Sequence, residues 1–388
     1  MDIQGLFQSM VDKAASDLYL TVARPPMYRI DGVVTPFGEH PCRSQELEAL
    51  ALSIMNERQR QEFAETMEMN LAMALPNVSR FRVNLYRQRG TVGLVIRRVK
   101  VEVDSLAGLG LPPILGDIAM TKRGLVLVVG ATGSGKSTTL AAMVDHRNSS
   151  EGGHIITIED PIEFVHRHKQ SIVTQREVGF DTHSYEAGLK NALRQAPDVV
   201  LIGEIRDTEV MEAAITFAET GHLCLGTLHS NNANQAIERI LNFFPAMRHA
   251  QIYLQLSLNL RAIISQRLIP ARDQGRVAAL EILMDTPRIR DLIKKGEVDI
   301  LKEGIEQGVE EGCQTFDQAL FLLYQEGKIS WDNALINADS ANNLRLRIKL
   351  AGLKVDDEPQ EVQPIKTAAG QPKTVGVSDP GVFRLRRS

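Results

Sequence analysis

Apolar and polar positions follow two rhythms along the chain. In the first hundred residues the period is mostly two. LYLTV at 18–22 and MYRI at 27–30 read as strands interrupted by Pro25 and Pro26, and Asp31-Gly32 is a tight-turn signal leading into VVTPF. Phe81, Val83 and Leu85 alternate with Arg80, Arg82 and Asn84; a turn at 87–90 reverses the chain, and Val92, Leu94 and Ile96 alternate on the return. Between these strands Leu47, Leu50, Ala51 and Ile54 share one helical face behind Ser44, a candidate cap. The expectation is a small α/β domain over residues 1–100.

A Gly- and Pro-punctuated passage, SLAGLGLPP, marks a linker at 101–112. The rhythm then changes. Short apolar runs at 125–129, 154–158, 198–203 and 222–227 alternate with helical patterns at 136–147, 184–195 and 208–220. That order predicts a largely parallel sheet with helices on its faces, an α/β core over 113–285. From 286 to 354 the patterns are helical, as in IRDLIKKG and FDQALFLLYQEG. Residues 355–388, rich in Pro, Gly, Gln, Thr and Asp, carry no period and are expected to be a disordered tail.

Composition narrows the class. The chain has 388 residues, 43% hydrophobic and 24% charged, as a globular protein of two or three domains would. Its longest apolar runs fall far short of the roughly 20 residues that cross a bilayer. The opening MDIQGLFQSMVDK lacks the basic region and apolar core of a signal peptide, which points to the cytoplasm. Cys42, Cys224 and Cys313 form no C-x-x-C pair and are assigned structural roles. A net charge of −4 argues against a surface built throughout for nucleic acid, and no nucleic-acid partner is expected.

GATGSGKS at 130–137 lies directly after the run LVLVV and before a helical pattern, the context in which G-x-x-x-x-G-K-[ST] binds phosphate. Gly130, Gly133 and Gly135 let backbone N–H groups turn inward with those of Thr132, Ser134 and Thr138 nearby. Lys136 offers charge to the β- and γ-phosphates, and the Ser137 hydroxyl can hold Mg²⁺. ATP and Mg²⁺ are the expected cofactors.

Two acidic clusters compete for the attacking water. DVVLIGEIRD is an apolar strand ending in an acid. Where many phosphate-loop enzymes place a Mg²⁺-binding Asp, this chain has Gly203, leaving Glu204 as the single acid, acting on Mg²⁺ through water. TIEDPIE at 157–163 ends the preceding strand; Pro161 forces a turn after Glu159 and Asp160 that brings Glu163 toward the nucleotide, where a carboxylate can deprotonate water. A solvated loop charge is the plain alternative for each acid. His222 and His229 flank a short apolar strand. Seven extended residues span roughly 23 Å, so only one imidazole meets the γ-phosphate. His229, at the carboxyl end, is the better placed.

Arg80, Arg82, Arg87, Arg89, Arg97, Arg98 and Lys100 crowd the hairpin without an intervening acid. Three readings stand: a nucleic-acid face, arginines supplied to a neighbour's phosphates, or solvated strand surface.

Four segments together, GATGSGKSTTLAAM, TIEDPIEFVH, LRQAPDVVLIGEIRD and AETGHLCLGTLHSN, resemble the phosphate loop, aspartate box, second nucleotide motif and histidine box of secretion-type ATPases. The chain is most similar to the type IV pilus retraction ATPases of the PilT and PilU types. SDLYLTVARPPMYRIDG and RFRVNLYRQRG resemble that family's amino-terminal domain, so the likeness covers about 1–350. It implies a PAS-like amino-terminal α/β domain and a RecA-like ATPase domain with a carboxyl-terminal helical region. It implies Glu163 as general base, Glu204 supporting Mg²⁺ and water, and His229 sensing the γ-phosphate. Arg82 and Arg98 resemble arginines reaching an adjacent subunit's nucleotide in a six-membered ring.

The resemblance also implies the partners: a homo-hexamer, a pilus platform protein at the cytoplasmic face of the inner membrane, and a PilT-type retraction ATPase. PilT-type chains carry AIRNLIRE near their carboxyl-terminal helices. This chain has PRIRDLIKKG at 287–296 and a longer tail, both more like the PilU type, an accessory retraction ATPase. A pilus assembly or type II secretion ATPase is the alternative within the same chemistry, and a nucleic-acid translocase the alternative outside it.

Overall fold

The computed structural model describes residues 2–75, 78–99 and 101–353. Its first sheet has six strands: β1 (Asp17–Leu20), β2 (Met27–Ile30), β3 (Val33–Pro36), β4 (Glu68–Leu75), β5 (Ser79–Gln88) and β6 (Thr91–Val99). They lie in the order β3-β2-β1-β6-β5-β4, every neighbouring pair antiparallel. The alternation read from β5 holds, with Phe81, Val83 and Leu85 buried and Arg80, Arg82 and Asn84 partly exposed. Arg89 and Gly90 both take positive φ, 48° and 76°, as a two-residue hairpin turn requires. The helices Ile3–Asp12 and Ser44–Ile54 supply Phe7, Met10, Leu47 and Leu50 to the same core, where Phe7 stacks on Phe81 at 4.0 Å.

Ser44 is the first residue of its helix and not its cap: Arg43 takes that place, and Glu46 reaches back to accept from the Arg43 N–H at 3.0 Å. The sequence pattern also passes over β4. EMNLAMAL is made of good helix formers, and its pairing with β5 from Glu68↔Tyr86 to Leu75↔Ser79 overrides that propensity.

The second sheet holds β7 (Gly124–Val129), β8 (His154–Glu159), β9 (Ile172–Glu177), β10 (Val199–Ile202), β11 (Leu223–Leu228), β12 (Leu260–Pro270) and β13 (Arg276–Met284), ordered β13-β12-β7-β11-β10-β8-β9. All neighbours are parallel except β12 and β13. Every residue of β7, β10 and β11 is buried, because helices cover both faces. The register Leu228↔Val129, Ile202↔Gly226 and Ile158↔Ile202 brings the carboxyl ends of β7, β8, β10 and β11 to one edge. The four apolar runs of the sequence correspond to these strands. The pattern does not find β9, with its polar Thr174, Gln175 and Arg176, nor β12 and β13.

Five helices, Pro287–Lys295, Leu301–Gln307, Phe316–Gln325, Trp331–Asn337 and Ala341–Leu350, follow the sheet as the helical patterns predict. They dock on the β12–β13 hairpin, where the Arg267 guanidinium sits 3.7 Å over the Phe316 ring and pairs with Asp339 at 2.9 Å. Among the described residues no helix is long and apolar enough to cross a membrane. Lys100 and the tail expected at 355–388 lie outside the described residues.

Candidate functional site

The GATGSGKS loop leaves β7 at Gly130 and enters the helix Lys136–Ser150, for which Gly135 is the cap. Gly130 has φ 155°, and a Cβ there would run into the Ser134 hydroxyl and the Gln266 carbonyl. Gly135 has φ 89°, and its Cβ would lie 2.7 Å from Gln266 Nε2. The loop's tight course is therefore shaped against one side chain that sequence motifs do not contain. Buried Gln266 of β12 donates to the Ser134 carbonyl at 2.8 Å and accepts from Thr139 Oγ1 at 2.7 Å, tying the loop to its helix. The Lys136 ammonium donates to the carbonyls of Gly130 (2.8 Å) and Ala131 (3.1 Å). Burial lowers its pKa, while the charges of Glu204 and Glu163 pull it back up.

Glu204 follows β10 by two residues. Its Oε1 lies 3.0 Å from His229 Nε2, and its Oε2 accepts from Arg206 Nε at 2.6 Å; Arg206 also reaches Asp160 at 3.3 Å. His229 follows directly on β11, at the sheet edge expected of it. His222 precedes the same strand, packed edge-on against Phe217 and bonded to Thr220 Oγ1 at 3.0 Å, away from the cleft. Gly203 stands where a Mg²⁺-binding Asp was looked for, and the structure gives the reason. A Cβ there would meet the Tyr185 hydroxyl at 3.0 Å, Glu159 Cα at 3.1 Å and the Ile158 carbonyl at 3.3 Å.

The two acids of TIEDPIE separate into different environments. Glu163 is exposed at the rim of the cleft. Glu159 is partly buried beneath it, and burial pushes its carboxyl up to about 7 against hydrogen bonds from Thr157 Oγ1 (2.6 Å) and Gln175 Nε2 (3.3 Å). Among the described residues the buried Tyr185 hydroxyl has no hydrogen-bond partner, and its pKa is raised by burial.

Lys136, Ser137, Glu163, Gly203, Glu204 and His229 line one cleft of about 230 Å³, together with the apolar Leu140, Ala141, Phe164 and Leu201. For Mg²⁺ the expected pair, the Ser137 hydroxyl and the Glu204 carboxylate, both line the cleft. That sparse donor set fits an ion that keeps several waters and takes its remaining oxygens from substrate phosphates. His166 on the same cleft is held neutral by burial, its pKa lowered to about 4, with its N–H backbone group donating to Gln175 Oε1 at 2.7 Å.

The basic hairpin meets acids that the local sequence did not reveal. Arg97 pairs with Asp17 at 2.9 Å, Arg87 with Glu48 at 2.8 Å, and Arg80 and Arg82 approach Glu177 of β9 at 3.2 and 3.9 Å. Phe81 stands opposite Arg98 and Arg82 opposite Arg97, so Arg82 and Arg98 leave the sheet on opposite faces. Arg98 Nε donates to Ser79 Oγ at 3.3 Å. All three cysteines are free and buried.

The family model described as "Type II/IV secretion system protein" matches residues 1–320. The chain is 54% identical over 351 residues to the type IV pilus ATPase PilU of Pseudomonas aeruginosa, covering 90% of this chain and 92% of that protein. It is 44% identical over 343 residues to the retraction ATPase PilT of the same organism, covering 88% of this chain and all of that one. Among solved structures, the crystal structure of the pilus retraction motor PilT with bound ADP superposes with a TM-score of 0.82 at 40% identity, over 89% of this chain and 99% of that chain.

Proposed function

The chain belongs to the type II/IV secretion system protein family, and on that premise we propose that it is an ATP-hydrolysing motor that powers retraction of type IV pili. The observation that carries the reading is the cleft itself: Lys136, Glu163, Glu204 and His229 come from four separate segments and line one space at the carboxyl edge of a parallel sheet. Similarity to PilU and PilT over nine-tenths of the chain supports the direction of work.

ATP is the substrate. The loop amides and the Lys136 ammonium hold the β- and γ-phosphates. Glu163, at the rim, takes a proton from water as the water oxygen bonds to the γ-phosphorus and the bond to the bridging oxygen breaks, leaving ADP and phosphate. Glu204 orients water, itself held by His229 and Arg206. Mg²⁺, for which Ser137 and Glu204 are the holding residues, would neutralise charge on the phosphate oxygens. His229 is placed to report the γ-phosphate to Glu204.

The chain is divided into an amino-terminal domain to residue 100, a linker at 101–112, an ATPase core at 113–285 and a helical region from 286. Six copies form a ring at the cytoplasmic face of the inner membrane, acting on a pilus platform protein, and the chain works as the PilU-type accessory to a PilT-type ATPase. Within the ring Arg82 approaches a neighbour's nucleotide only on leaving Glu177.

Labelled pili watched in living cells carrying Glu204→Gln test the reading. Pili that extend normally and retract rarely support it. Pili that no longer assemble would contradict it and favour an assembly ATPase. In cells that lack the PilT-type partner, this chain alone is expected to produce no retraction.

A further inference from the structure

Glu177 ends β9, and its side chain is only 2% exposed. Neither carboxylate oxygen makes a well-aligned hydrogen bond. What faces it is charge: Arg80 and Arg82 from β5 of the first sheet on one side, and the backbone N–H of Ile162 on the other. A buried carboxylate is costly unless compensated, so the two sheets are held to one another through this group.

The segment it touches is the one that carries Glu163. Residues 159–166 are stitched to β9 at further points. The Val178 N–H donates to the Glu159 carbonyl at 2.8 Å, Gln175 Nε2 donates to the Phe164 carbonyl at 2.9 Å, and Gln175 Oε1 accepts from the His166 N–H at 2.7 Å. Gln175 therefore fixes the far end of the loop from within the ATPase sheet. Glu177, at the end of the same strand and next to Val178, ties that strand to the first sheet through the guanidinium groups of Arg80 and Arg82.

We propose that Glu177 is a positioning residue: paired with Arg80 and Arg82, it sets the placement of the Glu163 loop according to where the amino-terminal sheet sits. The proposal rests on Glu163 being the base for hydrolysis. Its physical content is a contiguous path, from the guanidinium groups to the buried carboxylate at the end of β9, and from that strand end through the Val178 amide and Gln175 to the loop that carries Glu163. When the amino-terminal sheet withdraws, Glu177 loses its cations, and the strand end that anchors the loop loses its tie to the first sheet.

The test is steady-state ATP turnover and separately measured nucleotide affinity for the full chain with Glu177→Gln, with Arg80→Gln, and with both. Either single change is expected to lower kcat roughly tenfold, as a small misplacement of a reacting group does, while KM and nucleotide affinity move less than about twofold. The double variant is expected to be no slower than the slower single, since both act on one path. Arg80→Lys, which keeps a cation, is expected to recover most of the rate.

Unaltered kcat in folded Glu177→Gln would overturn the proposal, as would losses that multiply in the double variant or appear wholly in KM. Arg80 is a partly exposed side chain, so if Glu177→Gln does not fold, Arg80→Gln decides alone: an unaltered kcat there overturns the proposal. A parallel Glu163→Gln separates the failures. If it is inactive while Glu177→Gln is fully active, only the positioning role falls; if it turns over ATP normally, the base assignment falls and takes the positioning role with it.

Discussion

Glu204 and His229 face each other across the carboxyl ends of β10 and β11, Oε1 to Nε2 at 3.0 Å, while Arg206 occupies the other Glu204 oxygen at 2.6 Å. The carboxylate is thus held from both sides before any phosphate arrives. Removing the imbidazole side should free Glu204 to turn toward Arg206 alone. His229→Ala is expected to lower kcat by roughly 10- to 100-fold, within the range that positioned acid–base and polar groups contribute, with ADP affinity nearly unchanged. Loss of ADP binding instead would show that His229 shapes the nucleotide pocket and does not act through Glu204.

Gly203 has neighbours where an aspartate would need room. Gly203→Asp places its side chain against the Tyr185 hydroxyl and the backbone of β8. Overpacking of this kind costs about 1–3 kcal/mol, so the variant is expected to melt lower and to show no stronger dependence on Mg²⁺. A protein of unaltered stability with tighter Mg²⁺ dependence would mean that the site has space for the usual acid after all.

Gln266 has two jobs in one amide. Gln266→Ala leaves the Ser134 carbonyl and the Thr139 hydroxyl without their partner inside a buried site, a loss of about 1–3 kcal/mol. Because the amide touches the phosphate loop and not the base, the expected kinetic signature is a raised KM for ATP with a smaller change in kcat. A fall in kcat at constant KM would contradict this account of the residue.

Glu159 gives the protein a pH dependence of definite sign. Its carboxyl is raised by burial from 4.5 to about 7. Between those values the folded chain keeps a proton that the unfolded chain has released, so this group's stabilising contribution, full below about pH 4.5, is lost as pH rises through about 7. Melting temperatures of wild type and Glu159→Gln at pH 5.5 and 7.5 isolate the effect. The variant is expected to gain relative to wild type at the higher pH; an equal difference at both pH values would show that Glu159 does not titrate there.

What sequence made legible follows from how local each signal is. GATGSGKS, the four apolar runs and the Asp31-Gly32 turn depend on residues adjacent in the chain, and these elements stand where the pattern placed them. Glu204, Glu163 and His229 were found because strand ends in a parallel sheet converge, and they line one cleft. Gln266 was missed because its partners are more than 100 residues away in the chain. The hairpin arginines looked unpaired because Asp17, Glu48 and Glu177 come from other elements. The alternation itself sets Arg98, in phase with Leu94 and Ile96, on the face opposite Arg82, and the register of β5 with β6 agrees.

The most direct test of the motor account is ATP turnover by wild-type chain mixed in graded proportions with its own Glu204→Gln variant. Active sites coupled in a ring predict that activity falls faster than the wild-type fraction, because one inert subunit slows its neighbours. Activity falling in simple proportion would contradict the ring motor and leave an ATPase whose subunits work independently.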